Sequence, residues 1–134
     1  MNIMKRTIGL TIMLCLLGTI VATAQNKIDQ LVESFSTIGS ATFTSVVERD
    51  PQTRQVLKVV KVLKINGGQA TELRSAFLKE RESGNFTEQK SDNEQTLTLN
   101  CENKKQVRIY LLRLTNVQSW PHAQCTIIVK MKQQ

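Results

Sequence analysis

The stretch VLKVVKVLK, residues 56–64, decides how this chain folds, because its lysines recur at every third position of an apolar run. In a helix, lysines at that spacing would spiral around the cylinder and leave no continuous apolar face. Four valines within residues 56–62 would lose rotamer freedom in a helix and fit a pleated surface. The stretch therefore predicts a β-strand. Its lysines predict an edge strand protected against unwanted pairing, with a basic contact surface as the alternative.

A second strand is predicted just before this one, over residues 42–48, where Phe43, Ser45 and Val47 share a face. Between the two strands lies DPQT, residues 50–53, with Asp first and Pro second, as in a type I turn. The two strands and their turn predict a β-hairpin.

Helices are predicted on both sides of this hairpin. The first covers residues 27–37, with Asn26 as its N-cap and with Asp29 and Glu33 on its solvent side. The second covers residues 69–83, where apolar residues again recur at helical spacing.

The rest of the chain is predicted to form β-strands. Runs with β character cover residues 85–89, 95–102, 106–115 and 124–132. The order α-β-β-α-β-β-β-β predicts an α+β fold, in which a mainly antiparallel sheet of about six strands carries two helices packed on one face.

The N-terminus predicts a signal peptide. Lys5 and Arg6 precede an apolar run over residues 8–21, and Ala22-Thr23-Ala24 resembles a cleavage site. Cleavage after Ala24 would leave residues 25–134 as a single domain in the periplasm or outside the cell. The formal net charge of +7 would fall by two, which is too modest and too dispersed for a nucleic-acid binder.

Two cysteines, Cys101 and Cys125, remain after that cleavage. In an oxidising compartment a lone pair suggests a disulfide. A three-residue loop over residues 103–105 would instead place Cys101 opposite Val107, about 25 Å from Cys125 by strand rise, too far for a bridge. The strand pattern favours free cysteines and leaves a disulfide as the alternative.

Catalytic and metal sites have little support in the sequence. There is no G-x-S-x-G, H-E-x-x-H or glycine-rich phosphate loop. His122 precedes Cys125 by three residues, but no nearby histidine or cysteine completes a zinc site. We therefore predict a protein that is not an enzyme and that has no metal or cofactor.

A partner surface is predicted on the sheet face that the helices leave open, because a mixed apolar and basic face is too apolar for simple solvation. A register slip of one residue would exchange the two faces. The face is predicted to show Val60, Val62, Leu112 and Ile128 beside the candidate residues Lys58, Lys64, Arg108, Tyr110 and Lys130. Trp120, in a nearby loop, predicts either a cap on the core or a contact anchor.

The predicted function is a non-enzymatic periplasmic or secreted module that binds a protein or an envelope partner and no nucleic acid. One alternative is an envelope protein that binds polyanions or anionic lipid, with basic contacts at Lys58, Lys64, Arg108, Lys130 and Lys132. A second alternative is an inhibitor of a secreted enzyme, with contact loops at residues 50–54 and 116–123.

Several quoted stretches together resemble a known group of proteins. A signal ending in TAQ, the helix IDQLVESF, the hairpin FTSVVERDPQTRQVLKVVKVLKI and the strand QVRIYLLRL look like small secreted proteins of Bacteroidales-type bacteria that are catalogued as domains of unknown function. The resemblance implies a compact α+β domain in a Gram-negative envelope or outside the cell. It carries no catalytic residue to this chain.

Overall fold

Two helices and six strands make up residues 26–132, the part of the chain that this computed structural model describes. The elements are α1 (Lys27–Phe35), β1 (Thr42–Arg49), β2 (Val56–Asn66), α2 (Gly68–Lys79), a 3-10 turn (Arg81–Ser83), β3 (Asn85–Lys90), β4 (Glu94–Glu102), β5 (Gln106–Thr115) and β6 (His122–Met131). The predicted order of helices and strands is confirmed. The signal peptide predicted over residues 1–24 lies outside the described residues.

The strands form one antiparallel sheet in the order β1-β2-β6-β5-β4-β3. The prediction that β2 is an edge strand is therefore wrong, because β2 pairs with β1 on one side and with β6 on the other. The edges of the sheet are β1 and β3. The cause is the insertion of β6 between β2 and β5, which no local pattern in β2 reveals.

The hydrophobic core lies between the helices and one face of the sheet. The face contributes alternate residues of the central strands, such as Leu63, Cys125, Leu112 and Leu97, which occupy matching register positions and are fully buried. The helices contribute Ile28, Val32, Phe35, Ala70, Leu73, Ala76 and Phe77. Each buried aliphatic or aromatic side chain contributes roughly 1.5–3 kcal/mol through its removal from water.

A capping box fixes the start of α1. The side chain of Asn26 accepts from the backbone N–H of Asp29, and the carboxylate of Asp29 accepts from the backbone N–H of Asn26. The prediction that Asp29 faces solvent is wrong, since only 7% of it is exposed. Its carboxylate turns towards β5 and accepts from Arg108 and Tyr110.

The β1–β2 hairpin is confirmed, and its turn is held by Asp50. The side chain of Asp50 accepts from the backbone N–H groups of Gln52 and Thr53 at 2.8 and 2.9 Å. These hydrogen bonds hold the pKa of Asp50 below its usual value. Arg54, which follows, adopts a positive φ of 67° and donates to the backbone oxygen of Asp50.

The β4–β5 pairing differs by one residue from the predicted register. The loop between the strands spans residues 103–105 as predicted, but Glu102 pairs with Val107 and not with Gln106, and the side chain of Asn103 accepts from the backbone N–H groups of Lys105 and Gln106. Cys101 consequently lies opposite Arg108, and Glu102 lies opposite Val107. A shift of one residue exchanges the two faces of a strand.

This shift explains one group of wrong predictions. Arg108, Tyr110 and Leu112 were expected on the open face of the sheet, and they point to the helices instead. Tyr110 and Leu112 are 1% and 0% exposed. Val107, Ile109 and Leu111 take their places on the open face.

Both cysteines of the described chain are free, so the prediction of unbridged thiols is confirmed. Cys125 lies opposite Leu112 in β6 and Cys101 lies opposite Arg108 in β4, with β5 between them. Cys125 is fully buried, whereas Cys101 is half-buried beside Ser83. Each thiol packs as a small apolar group.

Candidate functional site

The open face of the sheet carries an apolar strip across its central strands. The open face is the side turned away from the helices, and the apolar strip consists of Val46, Val60, Val62, Ile109, Leu111 and Ile128. Val46, Val60, Ile128 and Ile109 occupy one row across β1, β2, β6 and β5. Val62 and Leu111 belong to the next row, with Thr126 between them. Val46 is 63% exposed and Leu111 is 37% exposed.

Four cationic side chains lie on the same face and flank the apolar strip. Lys58 and Lys130 are neighbours in the row on one side of it. Lys64 and Arg113 share the row on the other side, separated by Gln124. Among residues 26–132, none of the three lysines forms an ion pair, although Glu48 lies opposite Lys58 in register. The face therefore presents an apolar centre flanked by two pairs of cations, and the row of Lys58 and Lys130 ends in Glu48 on one side and Glu102 on the other.

A pocket of about 390 Å³ opens at the Lys64–Arg113 end of this face. Its lining residues are Ser40, Thr42, Lys64, Ile65, Asn66, Arg113, Thr115, His122, Ala123 and Gln124. Ile65 and Ala123 are 4% exposed and belong to the core side of the sheet, so the polar residues provide the accessible walls. No lining residue is acidic. We call this site the cationic pocket.

Trp120 lies on the loop before β6 and not on the open face. It is 59% exposed, and its ring covers the backbone of Gly67. A Cβ atom at position 67 would lie 2.7 Å from the indole, and Gly67 has a positive φ of 65°, so both space and backbone conformation require glycine there. The N–H of Gly67 donates to the carbonyl oxygen of Pro121 at 2.8 Å, which fixes the loop beside the indole.

A polar cluster on the core side contains two of the predicted partner residues. The Arg108 guanidinium donates to Asp29 at 2.9 Å and to the Tyr110 hydroxyl at 2.9 Å, and that hydroxyl donates to Asp29 at 2.8 Å. Burial, reinforced by the negative charge of Asp29, raises the pKa of the Tyr110 hydroxyl. The cluster is satisfied internally and joins α1 to β5, so it serves the fold rather than a partner.

The structure places the six predicted partner residues in three different locations. Lys58, Lys64 and Lys130 lie on the open face as predicted, whereas Arg108 and Tyr110 do not. Trp120 is exposed on its loop. Arg113 and the apolar residues of β5 were missed because the β4–β5 register was predicted one residue away from its true value. Asn103 predicts a turn after β4, because asparagine favours the first position of a type I turn, but it does not by itself select the register of β5.

Metal and membrane features are absent from the part of the chain that the structure describes. Within residues 26–132, no group of three or more His, Cys, Asp and Glu side chains is placed to hold a metal ion. The helices in this range are too short or too polar to cross a membrane.

The protein is thus a small α+β domain whose distinguishing surface is an open sheet face with a cationic pocket at one end. It belongs to the family described as domain of unknown function DUF5024, whose model matches residues 25–114. No curated protein and no solved structure matches the chain. The family match ends before β6, so His122 and Gln124 of the cationic pocket lie beyond the matched residues.

Proposed function

We propose that the protein is a non-enzymatic binding module that holds a protein or envelope partner on its open face. The observation that carries this proposal is the coincidence of the apolar strip and four flanking cations on the one sheet face that no helix covers. Scattered apolar residues are normal on a protein surface, but a contiguous apolar area bordered by polar residues is typical of an interaction site.

The arrangement of the face defines the kind of partner. Its apolar centre favours a partner surface with exposed apolar side chains, which would remove the strip from water. Its four flanking cations, above all Lys64 and Arg113, favour acidic groups around that apolar surface, because complementary charge directs association and orients the partner. We therefore expect a partner with an apolar contact region and an acidic border.

We also propose that the protein functions in the periplasm or outside the cell after cleavage behind Ala24. The support is the charged, apolar and small-residue pattern of residues 1–24, together with the resemblance to small secreted proteins of Bacteroidales-type bacteria. N-terminal sequencing of protein recovered from the culture medium or the periplasm tests this location. A first residue other than Gln25 contradicts the proposed cleavage site.

Two matched substitutions test the open face. Leu111→Glu places a negative charge at the centre of the apolar strip, where it would repel an acidic partner. Val47→Glu makes a comparable change on the other side of the sheet, where Val47 is 46% exposed. Retention of the protein on isolated envelope fractions should fall at least tenfold for Leu111→Glu and stay unchanged for Val47→Glu.

A salt series separates this proposal from simple polyanion binding. Charge attraction between exposed groups is screened by salt, whereas burial of apolar surface is not. Part of the retention on envelope fractions should therefore persist at about 1 M salt, where the Debye length is about 3 Å. Complete loss of retention at that salt, with no effect of Leu111→Glu, would contradict an apolar interface and favour a polyanion-binding protein.

A further inference from the structure

We infer that the cationic pocket is a binding site for an anionic sugar, that is, a hydroxyl-rich ligand with one carboxylate or phosphate group. The inference rests on the proposed function, because it names the chemical group that the open face would hold at one end. The charge, the polar groups and the size of the pocket each support it.

The charge of the pocket selects an anion. Lys64 and Arg113 lie two strands apart in one row, about 10 Å between Cα atoms at ordinary strand spacing, so both long side chains can reach one anionic group. Within the described residues Lys64 has no ion pair, and Arg113 contacts only Glu94 at 3.9 Å, with both side chains more than half exposed. A guanidinium can bind a carboxylate or a phosphate through two parallel hydrogen bonds.

The polar groups of the pocket suit hydroxyls. Gln124 lies between the two cations, and Asn66, His122 and Thr115 form the adjacent row. Within residues 26–132 these four side chains make no hydrogen bond to another protein group. Amide, imidazole and hydroxyl groups both donate and accept hydrogen bonds, as sugar hydroxyls do.

The size and the walls of the pocket argue against a single ion or an apolar molecule as its ligand. A volume of about 390 Å³ is far larger than a single ion needs and falls at the lower end of the range for small-molecule sites. No Phe, Tyr or Trp lines the pocket, and its two apolar lining residues point into the core. An apolar ligand would find no accessible apolar surface, whereas a small polar ligand would meet polar groups in the row beneath it.

The inference is tested by calorimetric titration of the protein at low ionic strength with four probes. Glucuronate and glucose 6-phosphate supply the two possible anionic groups on a sugar, glucose lacks the charge, and inorganic phosphate lacks the sugar. At least one anionic sugar should bind saturably, at least tenfold more tightly than both glucose and inorganic phosphate. The anionic sugar with the lower dissociation constant shows whether the pocket prefers a carboxylate or a phosphate.

Charge-removing variants locate the binding. Lys64→Gln and Arg113→Gln should each raise the dissociation constant of the anionic sugar at least tenfold. Lys130→Gln removes the same charge from the opposite side of the apolar strip and should change it less than twofold. Equal effects of all three variants, equal binding of inorganic phosphate and the anionic sugars, or no saturable binding would overturn the inference.

The same titration separates this inference from the proposed function. Leu111→Glu should lower retention on envelope fractions at least tenfold and leave the dissociation constant of the anionic sugar within a few-fold of that of the unmodified protein. Failure of both anionic sugars to bind, with retention intact, overturns the pocket assignment alone. If Leu111→Glu leaves retention on envelope fractions unchanged while an anionic sugar binds saturably, only the apolar interface is overturned.

Discussion

The guanidinium of Arg108 donates to the carboxylate of Asp29 at 2.9 Å, although 79 residues separate them in the chain. Asp29 belongs to the first turn of α1 and Arg108 to β5, so this contact joins the first helix to the middle of the sheet. The side chains are 5% and 16% exposed, respectively. An ion pair so enclosed stabilises the fold only while both partners and their hydrogen bonds are present.

Replacement of Asp29 by Asn should destabilise the protein strongly. The change leaves the Arg108 charge partly buried without its counter-ion, and we expect a loss of about 3 kcal/mol in the free energy of unfolding. Urea denaturation followed by circular dichroism measures it. Glu33→Gln makes the same chemical change on the exposed side of α1 and should cost less than about 0.5 kcal/mol. Similar losses for the two variants would show that the buried ion pair is not the cause.

Alkaline pH should destabilise the fold through Tyr110 and Cys125. Burial, together with the negative charge of Asp29, raises the pKa of Tyr110 above its ordinary value of 10.0 and that of Cys125 above 9.0. The folded state therefore holds both protons more tightly than the unfolded state, and this contribution is complete below those ordinary values. As pH rises above about 9, stability should fall, by at most about 1.4 kcal/mol per pH unit for each group.

Urea midpoints between pH 7 and pH 11 measure this dependence. The Tyr110→Phe, Cys125→Ala double variant is less stable at neutral pH, because it loses a buried hydrogen bond and packing atoms. Its stability should nevertheless fall less steeply above pH 9 than that of the unmodified protein. Parallel curves for the two proteins would rule out these groups as the source of alkaline sensitivity.

Substitution of Gly84 by alanine should disturb the junction between the 3-10 turn and β3. A Cβ atom there would lie 2.2 Å from the carbonyl oxygen of Asn100, so the backbone of β3 or β4 must move. We expect a destabilisation of about 1–3 kcal/mol, typical of overpacking. Gly68 begins α2 and has nothing within 4 Å of the corresponding position. Gly68→Ala should therefore be neutral or stabilising by up to about 1 kcal/mol in the same denaturation assay, and a reversed ranking would contradict the structure.

The two thiols should differ in reactivity towards a disulfide reagent. Cys101 is half-buried beside Ser83, whereas Cys125 is fully buried between β2 and β5. In the folded protein Cys101 should be modified first, slowly because partial burial raises its pKa, and Cys125 should react only when the protein unfolds. Time-resolved modification of Cys101→Ser and Cys125→Ala variants assigns each rate. Rapid reaction of Cys125 in the native state would contradict its buried position.

The sequence predicts those parts of the fold that depend on near neighbours. The capping box at Asn26, the Asp50 turn and the valines of β2 each act within a few residues, so α1 and the β1–β2 hairpin were predicted correctly. The place of β2 in the sheet was not, because it depends on pairing with β6, as in the contact between Leu63 and Cys125. A local pattern carries no information about which distant strand completes a sheet.

The candidate site was predictable only where it depends on the alternation of side chains within one strand. Lys58, Lys64 and Lys130 lie on the open face as predicted, because the alternation of side chains within β2 and β6 was enough to place them. Arg113 was missed because a single residue in the loop at Asn103 determines which face β5 presents. The burial of Asp29 was missed for a different reason, since its partners come from a strand 79 residues away.

The position of β6 also constrains the order in which the fold can form during synthesis. β6 is the last of the six strands to leave the ribosome, yet it lies between β2 and β5 and is the sheet's only link between β1–β2 and β3–β4–β5 within residues 26–132. At about 5–20 residues per second, several seconds separate the synthesis of β2 from that of β6, its second partner. Until β6 is in place, β2 can pair only with β1, and its other side is an edge where the lysines of VLKVVKVLK would discourage premature association. A strand that is interior in the finished sheet thus spends its first seconds as an edge.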